Sequence, residues 1–184
     1  MKKTFIILVA AVMALAACHG GKTQQASDQD SLSNAMHDDG DSTVYGVCGE
    51  GTAMHTLQLI QANGDTLNYL VDADIQTDVQ GGLMAGDRLA VLATKNADGE
   101  NEARIVINLT TLLGKWTSID KNFEIQEGGA VQSYVKAETN PYTSWRIYNG
   151  KLLLNADTFR IDVLGADSLY LENKTGIYAY KRQK

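Results

Sequence analysis

Basic residues, histidine, cysteine and proline are scarce in this chain of 184 residues, and each shortage removes a class of protein. Lysine and arginine number 16 against 22 acids, giving a formal net charge of −6 and a pI near 5.0. A nucleic-acid binder needs a basic face to displace counterions, so none is expected here. Electrostatic adhesion to anionic lipid is excluded on the same ground. The three histidines are His19, His37 and His55. Zinc needs three or four ligands at close spacing, and none are grouped. His55 has no identified serine or cysteine partner, and no nucleophile-elbow pattern occurs. Glu124 with Glu127, or Glu138 with Glu172, offers the residue types of an acid/base pair, but nothing lifts them above solvated surface. Gly81–Gly86 lacks the Lys-Ser/Thr of a phosphate loop, and Asp72, Asp74 and Asp78 lack the spacing of an EF-hand. The expectation is a protein without cofactor, metal or catalytic set, and therefore not an enzyme. An envelope hydrolase using His55 is the weakest reading carried forward.

Long apolar runs are also missing. The longest, Phe5–Ala14, follows Lys2 and Lys3 and is too short to cross ~30 Å of hydrocarbon at ~1.5 Å per residue. A basic start, an apolar middle and small residues before a cysteine make residues 1–17 a secretory signal peptide. Leu15-Ala16-Ala17-Cys18 resembles the bacterial lipobox. That resemblance implies diacylglycerol on the Cys18 thiol, cleavage before it and acylation of the new amino terminus. Each buried methylene contributes ~0.8 kcal/mol, so several chains on one residue anchor it durably. The residue after Cys18 is His19 rather than aspartate. By resemblance to the lipoprotein sorting rule this favours the outer membrane, on the periplasm-facing side. Lipid on Cys18 leaves Cys48 without an intramolecular partner, and it reads as a small buried residue in a strand.

Residues 18–42 are rich in Gln, Ser, Asp and Gly and read as a flexible acidic linker. A coil of ~24 residues has a reach of about 25–30 Å. Beyond it, hydrophobic residues at 44% of the chain, 17 glycines and the lone Pro141 favour short strands. Residues 43–110 give strands at Val44–Cys48, Met54–Ile60, Thr66–Val71, Leu89–Ala93 and Arg104–Leu109, with turns at Asn63-Gly64 and Asn96–Gly99. Five strands with glycine-rich corners predict a small OB-like β-barrel.

Residues 111–184 alternate more cleanly. Eight strands are expected, at 116–119, 123–125, 131–135, 144–148, 151–154, 159–163, 168–171 and 177–181, with a hairpin turn at Asn149-Gly150. Sequential hairpins imply an antiparallel meander that closes into a barrel. Gly114-Lys115-Trp116, followed by Trp145, Asn149-Gly150-Lys151-Leu152, Phe159, Leu169 and Tyr180-Lys181-Arg182, resembles the lipocalin-like domains of Bacteroidota outer-membrane lipoproteins. The resemblance implies that Trp116 plugs one end of the barrel, with Arg182 (or Lys181) lying across its indole as a cation–π cap. Phe159, Ile161 and Val163 are expected to share a face. The fold class is therefore all-β, an OB-like barrel followed by a lipocalin-like barrel. The functional expectation is a membrane-anchored envelope lipoprotein that acts as a non-enzymatic binding module for an envelope protein. Its alternative is a lipocalin-type carrier of a small apolar ligand lined by Trp145, Ile147, Leu154, Phe159 and Ile161.

Overall fold

The computed structural model describes residues 40–72 and 74–183. Cys18, the signal peptide of residues 1–17 and the linker up to residue 39 lie outside the described residues.

The first sheet holds β1 (Thr43–Cys48), β2 (Thr56–Ile60), β3 (Thr66–Leu70), β4 (Asp78–Gln80), β5 (Arg88–Lys95) and β6 (Asn101–Asn108). Its order is β3-β2-β1-β5-β6-β4. The OB-like barrel expected over 43–110 is not formed. Closure needs β3 and β6 to pair along their length, and they meet at one position, Leu70↔Glu102. The same edge of β6 is taken by β4, a strand not anticipated from sequence, which runs parallel to it through Asp78↔Ile105 to Gln80↔Ile107. An edge occupied by one strand cannot also zip to another, so the sheet stays open. Leu57, Leu59, Tyr69, Leu89, Val91 and Val106 form its core, with Cys48 buried among them as a free thiol.

A single helical turn, α1 (Leu109–Leu112), leads into the second sheet, and Asn108 caps it by accepting from the Thr111 N–H at 2.9 Å. The second sheet holds β7 (Gly114–Thr117), β8 (Asn122–Ile125), β9 (Val131–Ser133), β10 (Trp145–Tyr148), β11 (Lys151–Leu154), β12 (Asp157–Leu164), β13 (Ser168–Asn173) and β14 (Gly176–Arg182). Its order, β10-β11-β12-β13-β14-β7-β8-β9, is an antiparallel meander. The two ends meet at the Ala130↔Ser144 bridge and the Val131 N–H to Thr143 carbonyl bond, so the barrel is nearly closed. The turn residues Asn149 and Gly150 have φ of 48° and 71°, the left-handed geometry that an Asn-Gly hairpin supplies.

Val163 does not share a face with Phe159 and Ile161. Ile161 pairs with Leu171 and Val163 with Tyr170, so Asp162 is an extra residue on β12. This bulge shifts the alternation, turning Val163 out to solvent and Leu164 in.

The sheets share apolar contacts. Ala90, Ile107, Leu109 and Leu112 belong to the same buried cluster as the barrel residues. Tyr45 donates its hydroxyl to the Ile147 carbonyl at 3.0 Å, and burial raises the phenol's pKa, so it stays neutral. Gln80 bridges to β12, accepting from the Leu164 N–H and donating to the Asp162 carbonyl. Residues 40–42 are held rather than free. Asp41 accepts from the Asn149 N–H at 2.9 Å, and the Asn149 side chain bonds both Gly40 and Ser42.

Candidate functional site

Trp116 is fully buried at one end of the barrel, its indole N–H donating to the Leu112 carbonyl at 2.8 Å. The Arg182 guanidinium lies over the ring, 4.2 Å from its centroid. The same guanidinium donates to the carbonyls of Leu113 (2.8 Å), Thr111 and Ala166. Burial lowers the Arg182 pKa, while the nearby Asp167 carboxylate works the other way. The glycine before the tryptophan has a structural reason. At Gly114 φ is 121°, and a Cβ there would sit 2.6 Å from Nη1 of Arg182. Only glycine leaves room for the arginine to cross.

The five residues expected to line a cavity are packed core. Trp145, Ile147, Leu154, Phe159 and Ile161 are each at most 3% exposed and belong to one cluster with Trp116, Phe123, Leu152, Leu169 and Leu171. The Trp145 indole N–H donates to the Gln126 carbonyl at 2.7 Å. A barrel of short strands is filled by its own side chains.

Among the described residues a cleft opens at a seam of the barrel. β14 spans Gly176–Arg182 and pairs with β13 from Gly176 to Lys181. On its other side it pairs with β7 at only two positions, Lys181↔Thr117 and Arg182↔Trp116. Past Thr117 the chain turns away through Ser118–Lys121 into β8, so the wall parts. The cleft between measures about 810 Å³. Its outer parts are Ile119, Tyr170, Ile177 and Tyr178, all substantially exposed.

Tyr142 and Tyr180, both buried, lie deeper among its lining residues. They sit in an edge-to-face aromatic array. Phe123 stands 5.3 Å from Tyr142 and 5.1 Å from Tyr180, and Phe159 stands 5.8 Å from Tyr178. Burial, helped for Tyr180 by its neighbour Tyr142, raises both phenol pKa values, so this part of the cleft carries no charge at neutral pH.

The rim is polar. Lys121 rests 4.4 Å from the Tyr142 ring centroid, forms an ion pair with Glu138 and donates to the Asn140 carbonyl. Asp120, Asp167 and Lys181 complete it. Burial would lift the Glu138 pKa, but hydrogen bonds from Lys121 and the Ser133 hydroxyl outweigh that and hold it below the usual glutamate range. A carboxyl with a depressed folded-state pKa contributes stability above its unfolded value, ~4.3, and loses it as pH falls through the folded value. Unfolding titrations should therefore show a loss of stability on acidification that Glu138→Gln makes shallower. An unchanged acid profile in that variant would contradict the pairing.

The remaining sequence candidates are dispersed. His55, in the turn before β2, lies 3.0 Å from Asp72, which follows β3, and does not line the cleft. Glu124 accepts from the Tyr134 hydroxyl, Glu127 pairs with Arg88 and Glu172 with Arg160. Neither proposed glutamate pair acts as a unit. Among the described residues no group of three or more His, Cys, Asp or Glu is placed to hold a metal ion, and no helix is long and apolar enough to cross a membrane. Sequence reasoning missed the cleft and also Asn108, a buried amide that donates to the Gly81 and Gly82 carbonyls and to Asp87. The cleft comes from a length mismatch, four residues in β7 against seven in β14, which is set by strand pairing and leaves no signal in the sequence.

Residues 108–183 match the family model described as lipocalin-like. The second sheet is thus a lipocalin-like domain covering part of the chain. No curated protein and no solved structure matches the chain.

Proposed function

We propose that this is a non-enzymatic binding protein whose lipocalin-like domain takes a small, largely apolar ligand in the seam between β14 and the β7–β8 turn. The observation that carries this reading is a cleft of about 810 Å³ floored by neutral aromatic rings, beside a barrel interior that is already filled. Ligand pockets of roughly 300–1,000 Å³ with an apolar lining and a few polar groups suit drug-sized molecules. The carrier role is kept, and the binding position moves from the lumen to the wall.

The test is binding of the fluorescent probe N-phenyl-1-naphthylamine to the full chain and to Ile177→Asp. Ile177 is 65% exposed, so the fold should tolerate the change. Burying an isoleucine against a ligand contributes ~1.5–3 kcal/mol, so affinity should fall by about tenfold or more. Equal affinity in the two proteins would remove the cleft as the site.

We further propose that the domain is carried on the outer membrane, facing the periplasm, by lipid on Cys18. The lipobox-like residues Leu15–Cys18 support this. Cys18→Ser should move the protein from the membrane pellet to the soluble fraction, and its retention in the pellet would contradict the anchor.

A further inference from the structure

We propose that the ligand of the seam cleft is a short extended peptide, which adds to the open edge of β14 as one more strand. This rests on the cleft being the binding site and goes beyond it by naming the chemistry that is recognised.

The argument starts from backbone alternation. In an antiparallel pair, successive residues of a strand turn their N–H and C=O groups to opposite sides. The Arg182 N–H donates to the Asp167 carbonyl, toward β13. The Gln183 N–H donates to the Lys115 carbonyl, toward β7. Counting back by twos, Tyr180 and Tyr178 face β13, while Lys181, Ala179 and Ile177 face the seam. Lys181 has its partner there, Thr117. In the same register Ala179 would oppose Ile119, but Ile119 is in the turn and fully exposed. Among the described residues no strand pairs with Ala179 or Ile177 on that side. The cleft therefore has one wall made of two unmatched amide groups in strand geometry, which a purely hydrocarbon ligand would leave unsatisfied. An unpaired edge of this kind is a template for strand addition, where main-chain bonds hold the peptide and alternate side chains enter pockets.

The lining suits the two faces of an added strand. One set of side chains would pack toward Tyr142, Tyr178 and Tyr180, and the other would lie beside Ile119. The gap from Ile177 to Ala179 spans roughly 7–10 Å at ~3.3 Å per residue, enough for about three residues of partner. Charge narrows the choice. Lys121 is paired with Glu138, and Asp167 lies near the Arg182 guanidinium, leaving Asp120 against Lys181 at the rim. The rim carries no net charge, so the peptide it favours is uncharged.

The experiment is amide hydrogen exchange read residue by residue by NMR on the full chain. Free protein should show fast exchange at Ala179 and Ile177, and slow exchange at Tyr178 and Tyr180. A short capped peptide of alternating valine and threonine should slow exchange at Ala179 by about tenfold or more at saturation. Its twin, N-methylated at the amides that would face β14, should leave exchange unchanged. Ala179→Pro removes the donor that faces the seam but none that faces β13, and should abolish peptide binding. Slow exchange at Ala179 in the free chain would overturn the proposal, because it means that the edge is already covered by the N-terminal segment or by a second copy. Equal protection by both peptides would overturn it, since the main chain would then not be recognised. Protection by neither peptide, with N-phenyl-1-naphthylamine still binding in an Ile177-dependent way, would overturn the peptide and leave the apolar cleft standing. Loss of both would remove the cleft itself.

Discussion

Replacing Trp116 with alanine should destabilise the chain by about 3–5 kcal/mol, the range for losing a fully buried large aromatic. The ring is completely covered, and its removal leaves a cavity at the end of the barrel where β7, β14 and α1 converge. Its loss also frees the Leu112 carbonyl from a 2.8 Å bond and strips the apolar support from Arg182. For a chain of this size each kcal/mol shifts the melting temperature by roughly 2–4 °C, so a fall on the order of 10 °C is expected by calorimetry. An unchanged melting temperature would mean that Trp116 is not a structural plug.

Arg182→Ala should come next, at about 2–4 kcal/mol, because three backbone carbonyls lose a charged donor at once. Those carbonyls belong to Thr111, Leu113 and Ala166, so the arginine joins the α1 region to the turn between β12 and β13. Arg182→Lys should recover little of the loss. An ammonium cannot span three acceptors in a plane while lying flat on an indole. Chemical denaturation of the two variants checks this, and a lysine variant as stable as the parent would contradict the fork geometry. The double variant with Trp116→Ala should lose less than the sum of the single losses, because each residue supports the other.

The meander was legible because its side chains alternate. Trp145 and Ile147, Leu152 and Leu154, and Leu169 and Leu171 are all buried, with polar or exposed neighbours between several of them. Asn149-Gly150 marked its turn by the positive φ that those residue types accept. Where alternation was broken by one inserted residue, at Asp162, the reading of Val163 failed. A bulge is set by what the neighbouring strand offers and leaves no period of its own. The first sheet was misread as closed for a related reason. Asp78–Gln80 is three residues long and partly buried, too short to show a pattern, yet it takes the edge of β6 that closure needed.

The site was less legible than the fold. Trp145, Ile147, Leu154, Phe159 and Ile161 read from sequence as the lining of a cavity, and the structure places them in packed core. Apolar periodicity reports which way a residue points and not whether space remains beside it. The cleft arises because Thr117 is the last residue of β7 while β14 extends further, so it depends on two segments about sixty residues apart lying side by side. Ile119, Tyr170 and Ile177 come together only through that juxtaposition.

The central claim is that ligand enters the wall of the barrel and not its interior. Methyl-resolved NMR during a titration with N-phenyl-1-naphthylamine tests it most directly. Shifts concentrated at the methyl groups of Ile119, Ile177 and Ala179 are predicted, with those of Ile147, Leu154 and Ile161 staying in place. Movement of the interior methyls with the cleft methyls silent would contradict the account and return the ligand to the lumen.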